Sequence, residues 1–187
     1  EAKGFYLVED DALLEEIIGL TEFPSPILGK IPRDLLSLPE EVIITSMREH
    51  QKFISLRSRA NGRVEGFLVI ADIQTHDKQK TILSGNTRVL NSRLKDAIFF
   101  YQNDLELVKS QGMRTWNEKL KDVRFHEKLG SQYNRVERIV KIAILLSKQF
   151  DLERDEVNEA ATLIKADLVS NLVGEFPSLQ GTMGAHY

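Results

Sequence analysis

Between Gly85 and Glu106 the apolar residues Leu90, Leu94, Ala97, Ile98, Tyr101 and Leu105 recur at the spacing of one helical face. Asn86 is suited to cap such a helix and Gly85 to turn the chain before it, so a helix beginning there is predicted. Arg88, Ser92, Lys95 and Phe99 fall on the opposite side. An aromatic among solvent residues predicts a helix covered on two sides. Arg93 lies at the edge of the apolar stripe, near Val89, Ala97 and Phe100, where a charge needs a partner.

The rest of the chain is organised around that rod. Residues 9–20 read as a short amphipathic helix, with Asp10 or Asp11 as cap and Gly19 near its exit. TEFPSPILGKIP holds three of the five prolines and must be extended or turning. Leu38-Pro39-Glu40-Glu41 opens a second helix, with Pro39 at its first position and Val42, Ile43, Ser46, Met47 and His50 along it. The β-branched run at Val42, Ile43 and Ile44 leaves a strand open there as well. Phe53 to Arg57 and Gly66 to Ile73 read as strands joined through the turn Ala60-Asn61-Gly62-Arg63. After Gly112 no strand pattern is found. Helices are expected over 116–123, over 131–150 with Ser131 as cap, and over 155–173, ended by Gly174 and Pro177. The second of these carries a stripe of Val136, Ile139, Val140, Ala143 and Leu146. The expected fold is α+β and mainly helical. A small hairpin or sheet with helices occupies residues 1–112, and an all-helical region occupies 113–187. Their boundary is soft, because the central helix can serve both.

Composition changes this picture little. Hydrophobic residues at 42% and charged residues at 28% describe an ordinary globular chain. The absence of cysteine excludes disulfides, thiolate metal sites and cysteine nucleophiles, and suits a reducing compartment. No apolar run approaches the ~18 residues that would span a membrane. The start EAKGFYL carries neither Met nor a signal peptide and reads as internal to a longer protein.

Charge is more informative in its distribution than in its sum. Arg48 to Lys95 contains ten Lys/Arg and four Asp/Glu, a net +6, which leaves −9 on the rest of a chain whose formal charge is −3. A basic segment in an acidic chain is a candidate polyanion-facing surface, although a solvated mixed-charge face has the same composition. If the helix starts at Gly85-Asn86, its free N–H groups and Arg88 one turn on form a candidate anion site, with simple capping as the alternative.

Motifs for catalysis are weak. His76-Asp77 is the only His-Asp doublet, and a metal phosphohydrolase of the His-Asp type needs that doublet on a helix, flanked by a further His and Asp. In a polar, lysine-rich loop it reads as solvated. His126 and Asp167 would supply two metal ligands where three or four are usual. Gly181-Thr182-Met183-Gly184 is a poor match to a nucleic-acid clamp loop. No glycine-rich phosphate loop ending in Lys-Ser/Thr is present, and nothing marks a Ser/His/Asp nucleophile.

Several longer strings carry a resemblance. MREHQKF (47–53), GNTRVLNSRLKDAIFF (85–100), FHEKLGS (125–131), KADLVSNLVGEFPSLQGTMG (165–184) and the closing His186-Tyr187 resemble the β subunit of bacterial heterotetrameric glycyl-tRNA synthetase. They span nearly the whole chain in the family's order. The family carries Tyr or Phe at Phe53 and usually Arg-Tyr-Tyr where this chain has Ala185-His186-Tyr187. The resemblance implies an internal piece that lacks the amino-terminal part and the carboxy-terminal anticodon-binding region. It further implies a cytoplasmic α2β2 enzyme in which the α subunit holds the active site for glycine and ATP with Mg. The β subunit is then implied to bind and orient tRNA(Gly), and its middle region to resemble a His-Asp domain whose metal ligands are lost.

The resulting expectation is a tRNA-handling fragment without catalytic residues, metal or cofactor of its own. Arg48, His50, Lys52, Arg57 and Arg88 are the expected phosphate contacts, and Arg93 is expected to be structural. The rivals are a docking module for the α subunit through Phe99, and a surviving metal-dependent phosphohydrolase using His126 and Asp167.

Overall fold

A computed structural model describes residues 4–187. The chain divides into two compact units, Glu1–Phe99 and Phe100–Tyr187. In the first, β1 (Phe5–Leu7) leads to α1 (Asp11–Leu20), β2 (Ser25–Lys30), a 3-10 turn at Arg33–Ser37 and α2 (Glu40–Gln51). Next come β3 (Ile54–Ser58), β4 (Val64–Ala71) and the helix α3 (Lys80–Gln111), which continues into the second unit. The four strands form one antiparallel sheet in the order β1-β3-β4-β2.

One sheet face makes the core of this unit. Alternate residues Ser25, Ile27 and Gly29 of β2 are buried, as are Phe67 and Val69 of β4. Phe53 stacks on Phe67 with ring centroids 5.1 Å apart. The buried stripe of α2 (Val42, Ile43, Ser46, Met47) packs over β3 and β4. The helix expected here therefore forms despite its β-branched run, because one face of it has a sheet to cover. Pro39 is its N-cap rather than its first helical residue. The hairpin turn is also as expected, with Gly62 at φ 72 and Arg63 N–H donating to Asn61 Oδ1 at 3.0 Å.

The proline-rich segment is extended, as expected, and forms a strand: Ser25–Lys30 pairs residue for residue with β4, and Pro26 is tolerated on a strand at the sheet edge. β1, which the sequence did not show, closes the opposite edge against β3. The central helix starts at Lys80, not at Gly85. Asp77, not Asn86, closes its first turn: the Asp77 carboxylate accepts Thr81 N–H at 2.8 Å and bonds the Thr75 and Thr81 hydroxyls. Those donors hold its carboxyl well below the usual range. Asn86 lies inside the helix, where its Nδ2 donates to the Ile82 carbonyl at 2.9 Å.

In the second unit the remainder of α3 is followed by α4 (Arg114–Lys119), a two-stranded ladder of β5 (Arg124–His126) with β6 (Gly130–Ser131), α5 (Gln132–Gln149) and α6 (Arg154–Leu163). A 3-10 turn at Ala166–Val169, α7 (Asn171–Glu175), a 3-10 turn at Pro177–Leu179 and α8 (Thr182–His186) complete it. Trp116, Leu120, Val136, Ala161, Leu172, Val173, Phe176, Leu179 and Met183 are buried. Ser131 caps α5 in a reciprocal box with Asn134, as its position predicts. Of the stripe expected on α5, Val136 is buried while Leu146 is 45% exposed.

Two expectations fail here. The region is not all-helical, since β5 and β6 form a short ladder. The helix expected over 155–173 is broken after Leu163, and Gly174 sits within α7 instead of ending a long helix. Non-local bonds hold the segment after the break. The buried Asp167 carboxylate accepts the N–H groups of Gly181 and Gly184 ahead of and within α8. Ser170 starts a new helix by accepting Val173 N–H at 3.1 Å.

Candidate nucleic-acid interface

The basic segment is distributed over α2, β3 and α3, and its cations divide into two groups. Arg48, His50 and Lys52 come together at the C-terminal end of α2, with Lys52 as its left-handed C-cap at φ 54. Arg48 Nε bonds Asp10 Oδ2 at 2.6 Å, and Lys52 Nζ lies 2.9 Å from Glu16 Oε1, so both reach across to α1. Burial alone would raise the Asp10 carboxyl, but the Arg48 side chain and Leu13 N–H hold it below its ordinary value. Hydrogen bonding to Asp10 raises Arg48 in turn. Arg57 on β3 pairs with Glu40 at the start of α2 and donates to the Gly62 carbonyl at 2.8 Å. Arg48, Lys52 and Arg57 therefore spend charge holding the first unit together.

Arg88 belongs to the other group. It stands on α3 with Lys80, Thr81, Ser84 and Gly85 around a shallow depression. Lys80, Arg88 and Lys95 are exposed on one side of the helix, and among the described residues none has a side-chain ion pair or hydrogen bond. With the helix start moved to Lys80, the anion site expected at the N–H groups around Gly85-Asn86 does not exist, because those groups lie in helix interior. What remains is a strip of side-chain cations that form no ion pair among the described residues. Lys80 was missed by the sequence reading. Its i, i+4, i+8 relation to Ser84 and Arg88 would have shown it had the helix been extended back to Asp77.

Arg93 is half-buried on α3, and Phe99 is 60% exposed. His76 is exposed in the loop before α3. The structure gives His126 and Asp167 separate local roles. His126 sits on exposed β5, where its Nδ1 accepts Lys128 N–H at 3.2 Å, while Asp167 is buried under the start of α8. Among the described residues no group of three or more His, Cys, Asp or Glu is placed to hold a metal ion. Among the described residues no helix is long and apolar enough to cross a membrane.

The family profile described as glycyl-tRNA synthetase beta subunit matches residues 1–187, the whole chain. The chain belongs to the glycyl-tRNA synthetase β-subunit family. The glycine–tRNA ligase beta subunit of Dinoroseobacter shibae is 49% identical over 186 residues, covering 100% of this chain and 26% of the relative. That of Cereibacter sphaeroides is 50% identical, with 100% and 27% covered. That of Listeria monocytogenes is 38% identical over 188 residues, with 99% and 27% covered. The chain thus spans about a quarter of the length of the curated relatives it matches.

The strings that carry the family likeness fall on the features described above. GNTRVLNSRLKDAIFF lies along α3 with its exposed Arg88 and Lys95. FHEKLGS is the β5–β6 ladder, and KADLVSNLVGEFPSLQGTMG contains Asp167 together with the two glycines whose N–H groups it accepts.

Proposed function

We propose that this chain is the tRNA-handling, non-catalytic part of a glycine–tRNA ligase β subunit, contributing to glycyl-tRNA synthesis by binding and orienting tRNA(Gly) for an α subunit. Its membership of the family supports the substrate. The observation that carries the surface is the strip of exposed Lys80, Arg88 and Lys95 on α3, which form no ion pair among the described residues. Cations of this kind position a nucleic acid through its phosphates and do not read its sequence. Of the residues picked from the sequence, Arg88 takes the leading role. His50, exposed at the end of α2, remains a second candidate contact, while Arg48, Lys52 and Arg57 are paired with acids of the first unit. ATP and Mg act in the α subunit of a cytoplasmic α2β2 assembly. The second unit is read, on the family resemblance alone, as a mainly helical domain of the His-Asp kind without its metal.

The test is tRNA binding by the intact two-subunit enzyme over a series of salt concentrations. Changing Lys80, Arg88 and Lys95 together to Ala removes three phosphate contacts, so the slope of log K against log salt becomes shallower by about 2 to 3. An unchanged affinity and slope removes the strip from the site. Exposed Phe99 favours a second reading, docking of the α subunit. In that case Phe99→Asp lowers capture of the α subunit and leaves the salt slope alone.

A further inference from the structure

A second cationic surface lies in the other unit, outside the segment singled out by charge. From Lys121 to Lys141 there are six Lys/Arg against Asp122, Glu127 and Glu137, a net +3. The structure gathers part of this run at the β5–β6 ladder and the first turns of α5. Arg124, Phe125, His126, Glu127, Lys128, Leu129 and Gly130 are all exposed, and Leu129 is 50% exposed. The Arg135 guanidinium lies over the Phe125 ring, 4.5 Å from its centroid. Arg138 Nη1 donates to the Leu129 carbonyl at 3.1 Å, and Asn134 Oδ1 accepts Ser131 N–H at 3.1 Å. The exposed tip is therefore tied down from α5. Among the described residues, Arg124, Lys128, Arg135 and Arg138 have no ion pair. Lys121 differs, since it is paired with Glu118.

The tip, tied to α5, presents four cations without an ion pair around an exposed aromatic and a leucine. Phosphate oxygens suit the cations, and a base or ribose suits a ring already stacked with a guanidinium. Acidic protein segments would satisfy the charges but give Phe125 and Leu129 no specific partner.

We propose that the β5–β6 tip with the start of α5 is a second RNA contact, in which Arg124 and Lys128 bind backbone phosphates and Phe125 packs on a nucleotide. This rests on the reading of the chain as tRNA-handling, but it uses a different unit and different residues from the α3 strip.

The test again uses the intact two-subunit enzyme and tRNA. Arg124 and Lys128 make no side-chain hydrogen bond among the described residues, so their joint change to Ala leaves the ladder in place, which an unchanged thermal melt checks. Losing two phosphate contacts makes the salt slope shallower by about 1.4 to 1.8, which corresponds to about 15- to 30-fold weaker binding at about 0.15 M salt. Phe125→Ala weakens binding without changing the slope. The proposal is overturned if the double variant binds tRNA with wild-type affinity and slope, or if it loses α-subunit association instead. If only the α3 variant weakens binding, the tip is excluded and the α3 reading stands. If only the tip variant does, the α3 strip is excluded and the tip stands. If neither does while the wild-type enzyme binds, both fall.

Discussion

Asp104 is fully buried on α3, and its carboxylate is the hub of the second unit. Oδ1 accepts Asn171 N–H at 2.9 Å and Asn171 Nδ2 at 2.7 Å, while Oδ2 accepts Leu172 N–H and the Tyr187 hydroxyl, each at 2.9 Å. It thereby supplies from a distance the acceptors that the first turn of α7 lacks. Changing Asp104 to Asn keeps one accepting oxygen and turns the other into a donor that faces donors. Two of the four bonds are lost, and each stranded buried donor costs about 1–3 kcal/mol. The neutral amide costs less to bury than the carboxylate, which offsets part of this loss. The expected loss is about 3 kcal/mol, a large fraction of the roughly 5–15 kcal/mol that holds a domain together.

The readout is built in. Trp116 is the only tryptophan, is buried, and meets the Tyr187 ring edge-on at 5.2 Å, so its emission during urea unfolding follows this unit. Burial, with the Asp104 charge beside it, pushes the Tyr187 hydroxyl far above its ordinary value, so it remains a donor throughout the folded range of pH. Tyr187→Phe should therefore couple to Asp104→Asn by about 1 kcal/mol or more in a double-mutant cycle. A loss below about 1 kcal/mol for Asp104→Asn, or additive effects in the cycle, would refute the hub.

Three further outcomes are expected. Asp10→Ala removes both the cap of α1 and the bond to Arg48 and should cost about 1–2 kcal/mol by urea unfolding. Because the folded Asp10 value is depressed, its contribution is present above its ordinary value of 3.8 and is lost as pH falls below it, so the wild-type and mutant curves converge in acid. Gly29→Ala places a methyl group into the Phe67 ring, which is buried and stacked on Phe53; a loss of about 3 kcal/mol is expected, and a neutral result would show that the ring can swing aside. Ser131→Ala breaks the box at the start of α5 and should lower the melting transition by the equivalent of about 1 kcal/mol.

Local chemistry was legible without coordinates. Asp10 caps α1, Ser131 caps α5, the stripe of α2 is buried where its spacing put it, and the β3–β4 turn forms at Asn61-Gly62, because each depends on atoms a few residues apart. Tertiary structure decided the rest wherever the energy lies in a distant partner. β1 and β2 are strands only because β3 and β4 are there to pair with them. The start of α3 is an exception, since the Asp77 carboxylate that carries the helix back past Gly85 bonds threonines only two and four residues away and its cap was missed in the sequence. The helix expected over 155–173 ends at Leu163, and in the turn that follows Asp167 accepts N–H donors 14 and 17 residues further on. The same holds for the basic segment. Composition showed the excess of positive charge, but only the fold spent Arg48, Lys52 and Arg57 on acids of α1 and α2 and left Lys80, Arg88 and Lys95 facing water. Whether folding brings a carboxylate to a cation is a property of contacts between residues far apart in the chain.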